Sequence, residues 1–119
     1  MVTQTDAMLP LDVVIIDNAL STTELDTCVV ELKALAHPVR LRMVDLIHQG
    51  GGDICVCEFE KHFELSQPTI SHHLKILREA GIIRSRQEGT WVRHRIDPET
   101  FSSITRLLDT FAEPQEAAN

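Results

Sequence analysis

The sequence predicts a mostly helical α+β fold, and three observations carry that prediction. Hydrophobic residues make up 43% of the 119-residue chain and aromatic residues only 4%, so the core must be built from Leu, Ile and Val, which suits small packed helices better than an aromatic-rich sandwich. Up to Ala80 the apolar positions recur at helical spacing, and beyond Gly81 they become strand-like on both sides of Glu88-Gly89, a pair of the kind that closes a β-hairpin. Between those regions, Leu65 to Gly81 reads as a helix with its start, stop and buried face all marked.

Taken in order, residues 1–22 form a separate arm in which polar ends surround Leu11 to Ile16, a run too short to be an independent helix core; the arm packs on its own domain or on a partner's. A first helix starts at Thr22 or Thr23, with Thr23 as its cap and Leu25, Cys28/Val29, Leu32 and Leu35/Ala36 at helical spacing. A second begins near Pro38, carries Leu41, Val44 and Ile47, and must stop at Gly50-Gly51-Gly52, where glycine removes helix propensity. Asp53 then caps a short third helix, Ile54 to His62. The fourth has Ser66 as N-cap, Pro68 in the first turn, where its missing N–H costs little, and Gly81 at C′. With Phe63-Glu64-Leu65 between them, the third and fourth helices have the proportions of a helix-turn-helix. Ile82 to Gln87 and Thr90 to Ile96 form the hairpin, or wing, and Asp97-Pro98 opens a final helix with Phe101, Ile104, Leu108 and Phe111 on one stripe. The domain therefore runs over residues 23–112 as a winged helix-turn-helix, with 113–119 a flexible tail.

On the fourth helix, Ile70, Leu74 and Leu77 fall on one stripe and are buried. Gln67, Thr69, Ser71, His72 and Lys75 are left on the other faces, and these short or cationic hydrogen-bonding side chains reach base edges and phosphates. The net charge of −7 argues, by itself, against nucleic acid, but its distribution reverses that conclusion. From Lys61 to Arg95 there are seven Lys/Arg against three acids, whereas the remainder carries four against fifteen. The positive surface thus lies on the segment expected to meet DNA, with Arg86 and Arg93 on the wing.

Ten residues before Leu65 stands Cys55-Val56-Cys57. Two thiolates one residue apart at the start of a helix make a half-site for soft metals and trivalent metalloids, and a helix N-terminus favours their charged form. The bland alternative is two small buried packing residues. No apolar run approaches the ~20 residues that span a bilayer, and no secretory signal pattern is present; the expectation is a cytoplasmic protein without a membrane partner. There, three cysteines are thiols or ligands rather than disulfides. No Gly-rich phosphate loop, His-Glu-x-x-His or Gly-x-Ser-x-Gly occurs, and Cys55 has no evident base in sequence, so catalysis is not expected.

From about Leu32 to Leu108 the chain resembles the arsenical-resistance and metal-sensing repressors of the ArsR/SmtB family, on the strength of Leu32 to Arg42, the Cys55-Cys57 pair, Leu65 to Gly81, and Ser85 to Val92. The resemblance implies a homodimeric repressor on double-stranded operator DNA, paired through its first and last helices, with His72 toward DNA and His73 toward the base of the recognition helix. It places Cys55 and Cys57 in the site used by arsenic, antimony, lead and cadmium sensors. It implies no permanently bound cofactor, only trivalent arsenic or antimony as inducer. A third ligand is open: where arsenic sensors of this pattern often carry a cysteine three residues on, this chain has Glu60, and the arm offers no cysteine before Cys28. Cys28 is either the third thiolate of a trigonal pyramidal site or a core residue. If core, the two remaining thiolates match a monomethylated arsenical. Cadmium, lead, or a reversible disulfide of Cys28 with Cys55 or Cys57 are the other signals open to the same fold. His37, His48, His62 and His94 are isolated, in surface or capping roles, and the absence of histidine from Phe101 to Phe111 speaks against the family's other, zinc-type site.

Overall fold

The computed structural model describes residues 20–51 and 54–115. The expected arm, apart from its junction, the Asp53 cap and the end of the tail lie outside those residues. The elements follow one another as α1 (Thr22–Leu35), α2 (Pro38–Gln49), β1 (Ile54–Cys55), α3 (Val56–His62), α4 (Gln67–Glu79), β2 (Ile83–Glu88), β3 (Trp91–Ile96) and α5 (Pro98–Ala112). The three strands form one antiparallel sheet in the order β1-β3-β2.

Most of these elements begin and end where local chemistry says they should. In α2 the His37 ring accepts the Val39 N–H at 3.1 Å and Pro38 occupies the first turn. Ser66 caps α4, accepting the Thr69 N–H at 3.3 Å, and Gly81 follows the helix with φ +79°, a left-handed backbone that suits glycine. Gly89, at φ +61°, turns β2 into β3. Asp97 caps α5 by accepting from Glu99 N, and its other oxygen accepts from Arg84 Nε at 3.0 Å. That Arg84 hydrogen bond is the chief reason the Asp97 carboxyl titrates below its ordinary value.

Two boundaries and the place of one histidine differ from expectation. The cap of α1 is Ser21, not Thr23: Ser21 Oγ accepts from Glu24 N at 3.1 Å while Glu24 Oε1 accepts from Ser21 N at 2.9 Å, a reciprocal capping box. Ile54 and Cys55 are not the first turn of a helix but a short strand, with Ile54 opposite His94 and Cys55 opposite Arg93; the free edge of β3 recruits them, and α3 starts only at Val56. His94, expected in a surface or capping role, is 3% exposed. It is held between β1 and β2, its Nδ1 bonded to Ser85 Oγ at 2.8 Å with Phe59 packed nearby.

The core forms where α2, α3, α4 and the sheet meet, around Phe59, Met43, Ile47, Ile70, Leu77, Ile82 and Ile83, all less than 2% exposed. Helix α1 differs from its expected stripe: Cys28, Glu31 and Ala34 are buried, Leu32 and Leu35 are half-buried, and Leu25, Val29 and Val30 are exposed. Glu31 Oε1 has no hydrogen-bond partner among the described residues, and burial raises the carboxyl's pKa. Helix α5 meets α1 but turns Leu108 and Phe111 outward. Among the described residues no helix is long and apolar enough to cross a membrane.

Candidate nucleic-acid interface and thiolate pair

Helix α4 sorts its side chains as the sequence implies. Ile70, His73, Leu74 and Leu77 are buried, whereas Gln67, Thr69, Ser71, His72 and Lys75 are exposed. Thr69 is partly committed, since its hydroxyl meets Ser66 Oγ at 2.9 Å. Lys75 is only loosely tied to Glu79, at 4.0 Å between two exposed groups, a pairing worth little in water.

The orientation of that helix is fixed by a junction sequence reasoning did not find. Arg40, on α2, donates from Nε to the Ala34 carbonyl at 2.6 Å, and its Nη1 lies 3.1 Å from Nδ1 of His73 on α4. The His37 ring, capping α2, stands 4.6 Å from that of His73, centroid to centroid. One guanidinium thus ties the end of α1, the start of α2 and the base of the recognition helix. Arg40 has no sequence signature of this role, because its partners come from two other helices. Burial first, and then the neighbouring His37, Arg40 and His72 charges, hold the pKa of His73 below the ordinary imidazole value; burial and Arg78 do the same to His94.

The sign of the pH dependence follows. Both rings are neutral in the folded chain and take up a proton more readily once unfolded, so stability is complete above the ordinary value of about 6.5 and declines as pH falls below it toward the folded values. Urea midpoints measured from pH 7.5 to 5 should fall steadily with acid. His73→Gln should flatten part of that decline, and an unchanged slope would show that His73 titrates normally in the fold.

On the wing, Arg86 and Arg93 project as expected, but both are bound to one carboxylate. Glu88 pairs with Arg86 through Oε2 and with Arg93 Nε through Oε1 at 3.2 Å. The wing cations are therefore partly neutralised within the hairpin and would exchange Glu88 for a phosphate on binding. Trp91 stands opposite Glu88 at the hairpin end and is 54% exposed.

Cys55 lies in extended backbone as the N-cap of α3, and Cys57 is in the helix's first turn, which brings the two Cα atoms to 5.4 Å on one side of the chain. In this structure the two sulfurs are joined as a disulfide, where the sequence suggests free thiols; the separation lies within the range that a disulfide spans. The remaining cysteine, Cys28, is free and buried. It is not gathered with the pair: it lines a cleft of about 590 Å³ between α1 and α5, together with Glu31, Arg106 and Phe111. Instead a carboxylate oxygen of Glu58 and the sulfurs of Cys55 and Cys57 lie within 4.8 Å of one another, the one group of potential metal ligands among the described residues. Sequence reasoning passed over Glu58 because it looked for sulfur three residues beyond Cys57. Two sulfurs at this spacing, once reduced, suit a thiophilic metalloid, and a single flanking oxygen does not complete a tetrahedral zinc site.

A helix-turn-helix with an exposed polar helix face on a small winged core is the architecture of a DNA-binding regulator, and comparison with known proteins identifies the group. Residues 37–85 match the bacterial regulatory protein, arsR family. The chain is 49% identical over 85 residues to the arsenic resistance transcriptional regulator ArsR1 of Pseudomonas putida, an alignment covering 71% of this chain and 66% of that protein. It is 36% identical over 90 residues to the arsenical resistance operon repressor of Staphylococcus xylosus, covering 76% of this chain and 82% of that one. Among solved structures, the homodimeric winged helix-turn-helix DNA-binding domain of a possible ArsR-family transcriptional regulator from Mycobacterium bovis superposes with a TM-score of 0.61 at 26% identity, covering 85% of this chain and 95% of the other. The chain belongs to the ArsR family. It is a transcriptional repressor of that family, not an enzyme.

Proposed function

We propose that two copies of this chain bind a two-fold operator in the cytoplasm and are released from it when trivalent arsenic or antimony is captured by Cys55 and Cys57. The observation that carries the reading is position. The pair sits on the β1–α3 junction: β1 pairs with β3 of the wing, and α3 packs against α4. A ligand that draws the two sulfurs around itself therefore pulls on both DNA-facing elements at once. Relatives named for arsenic and arsenical resistance support the choice of ligand, and a homodimeric neighbour supports the two-fold. The dimer sets two copies of α4 in successive major grooves about 34–36 Å apart.

Release requires only that the metalloid bind the free dimer better than the operator-bound one. A coupling of ~1–3 kcal/mol gives ~5- to 150-fold weakening, and operator DNA must weaken metalloid binding by the same factor. The test is operator binding by the reduced protein with arsenite, antimonite, methylarsenite, cadmium, lead and zinc. Cys55→Ser and Cys57→Ser should each abolish release by arsenite and antimonite while retaining operator binding without metalloid. Release of the double variant by arsenite would refute the sensing role.

The Cys55–Cys57 disulfide favours one second reading, a repressor that responds to thiol oxidation. Counting free thiols and measuring operator affinity before and after peroxide separates the two. A disulfide that changes affinity without metalloid makes oxidation the signal, and one that only blocks arsenite uptake leaves the metalloid in that role.

A further inference from the structure

We propose that Glu58 is the third member of the metalloid site, its carboxylate accepting a hydrogen bond from the one hydroxyl left on arsenic after Cys55 and Cys57 have displaced the other two. The proposal rests on the reading of Cys55 and Cys57 as the sensor, and it assigns that sensor a substrate preference.

The candidates for a third partner are few, and their positions decide among them. Cys28 lies in the α1–α5 cleft and does not join the group. Glu60, which occupies the place of a third cysteine, is exposed and outside the group as well. Glu58 follows Cys57 directly on α3, is half-buried, and has a carboxylate oxygen within 4.8 Å of both sulfurs. Its pairing elsewhere is weak: Oε1 lies 3.7 Å from Lys61 Nζ, between side chains 42% and 69% exposed. The carboxylate thus lies beside the sulfurs without a strong competing partner.

The chemistry assigns it a hydrogen-bonding role rather than a bond to arsenic. Carboxylate is a hard ligand and a poor match for trivalent arsenic, which prefers sulfur. The disulfide of this structure must first be opened by two equivalents of a low-molecular-weight thiol, which leave as their own disulfide while Cys55 and Cys57 become thiols. Arsenous acid, As(OH)₃, then exchanges two hydroxyls for two sulfurs, each leaving hydroxyl departing with a thiol proton as water. One As–OH remains, and it is a donor. An ionised acceptor at that point makes a charge-assisted hydrogen bond, about twice as strong as a neutral one. Methylarsenite, CH₃As(OH)₂, loses both hydroxyls in the same exchange and retains only a methyl group, to which Glu58 offers nothing. Glu58 therefore selects inorganic over methylated arsenic.

The test uses the full-length reduced protein and two readouts: the ultraviolet sulfur-to-arsenic charge-transfer band for uptake, and fluorescence anisotropy of a labelled operator for release, each variant being compared with its own metalloid-free affinity. In Glu58→Ala the arsenite concentration needed for half-uptake should rise about ten- to a hundredfold, the loss expected for a hydrogen bond to a charged group, and in Glu58→Gln, whose amide oxygen still accepts, it should rise by less. Methylarsenite uptake should be unchanged, which also shows that the variants fold. Arsenite should protect two thiols per chain in the wild type, and Cys28→Ser should behave as wild type toward both arsenicals. Equal loss for both arsenicals, or none for either, overturns the role of Glu58. A selective loss of arsenite uptake in Cys28→Ser overturns it in favour of a third thiolate. If the reduced wild type takes up neither arsenical, the sensor reading fails, and this role of Glu58 fails with it.

Discussion

A chain carrying Leu108→Glu together with Phe111→Glu is expected to sediment as a monomer and to bind a palindromic operator about 10²- to 10⁴-fold more weakly than the unaltered protein. Phe111 is 70% exposed and Leu108 48% exposed on α5, and Leu25 and Val30 are 50% and 54% exposed on α1. Each such side chain contributes roughly 1.5–3 kcal/mol when removed from water. Adjacent helices that leave four of them in water are expected to be covered by a second copy. Glu31 adds to the same picture, because it lines the α1–α5 cleft with Phe111 and its Oε1 has no hydrogen-bond partner among the described residues. Introduced carboxylates at 108 and 111 would have to be buried unpaired in the dimer, a cost the interface cannot absorb. The protomer itself should survive, since both side chains lie outside its core. The loss in operator affinity arises because a two-fold site gains from joining two half-sites, which a monomer cannot do. Sedimentation without metalloid and titration of palindromic and half-site DNA check both halves of the statement. A monomer that still binds the palindrome tightly would contradict it, and a persistent dimer would place the interface elsewhere.

The parts of this molecule that are legible in sequence are those decided by neighbours along the chain. The start and stop of α4 rest on Ser66, Pro68 and Gly81, all within or next to the helix, and its buried stripe rests on a spacing internal to it. Cys55 and Cys57 are conspicuous for the same reason. What escapes is decided by residues far away. Ile54 and Cys55 form a strand because β3 offers an edge nearly forty residues later, and nothing local distinguishes them from a first helical turn. Glu31 sits at a helical position that looks solvent-facing until α5 closes over it. Arg40 acquires its role only when α4 presents His73. Two misses had a signal in the sequence: Ser21-x-x-Glu24 is a capping-box pattern, and Val92, His94 and Ile96 share one face of β3 by simple alternation, so a histidine among them was a candidate for burial.

Replacing Gln67 and Ser71 together by Ala is expected to erase much of the preference for the cognate operator, at ~1–3 kcal/mol for each base no longer read, while leaving binding to unrelated DNA nearly intact. Both side chains are exposed on α4, at the margin of the buried stripe of Ile70 and Leu74, and neither takes part in the Arg40–His73 junction that orients the helix. Their removal therefore subtracts readout without moving the reader. Thr69 is a poorer probe, because its hydroxyl also meets the Ser66 cap, and His72→Ala should behave as the Gln67 and Ser71 changes do. Wing substitutions should have the opposite signature. Arg86→Ala or Arg93→Ala should weaken all sequences alike and lower the slope of log affinity against log salt by ~0.9 for each phosphate no longer neutralised. Because Glu88 occupies both guanidinium groups in the free protein, Glu88→Gln should act in reverse, strengthening cognate and unrelated DNA together by removing a competitor that every phosphate must displace. Affinity measured at several salt concentrations on cognate and scrambled operators separates these effects. Equal losses on both sequences in the Gln67/Ser71 variant would remove α4 as the reading element, and a Glu88→Gln variant that binds all DNA more weakly would show that the Glu88 bridge holds the wing in its DNA-binding shape instead of masking it.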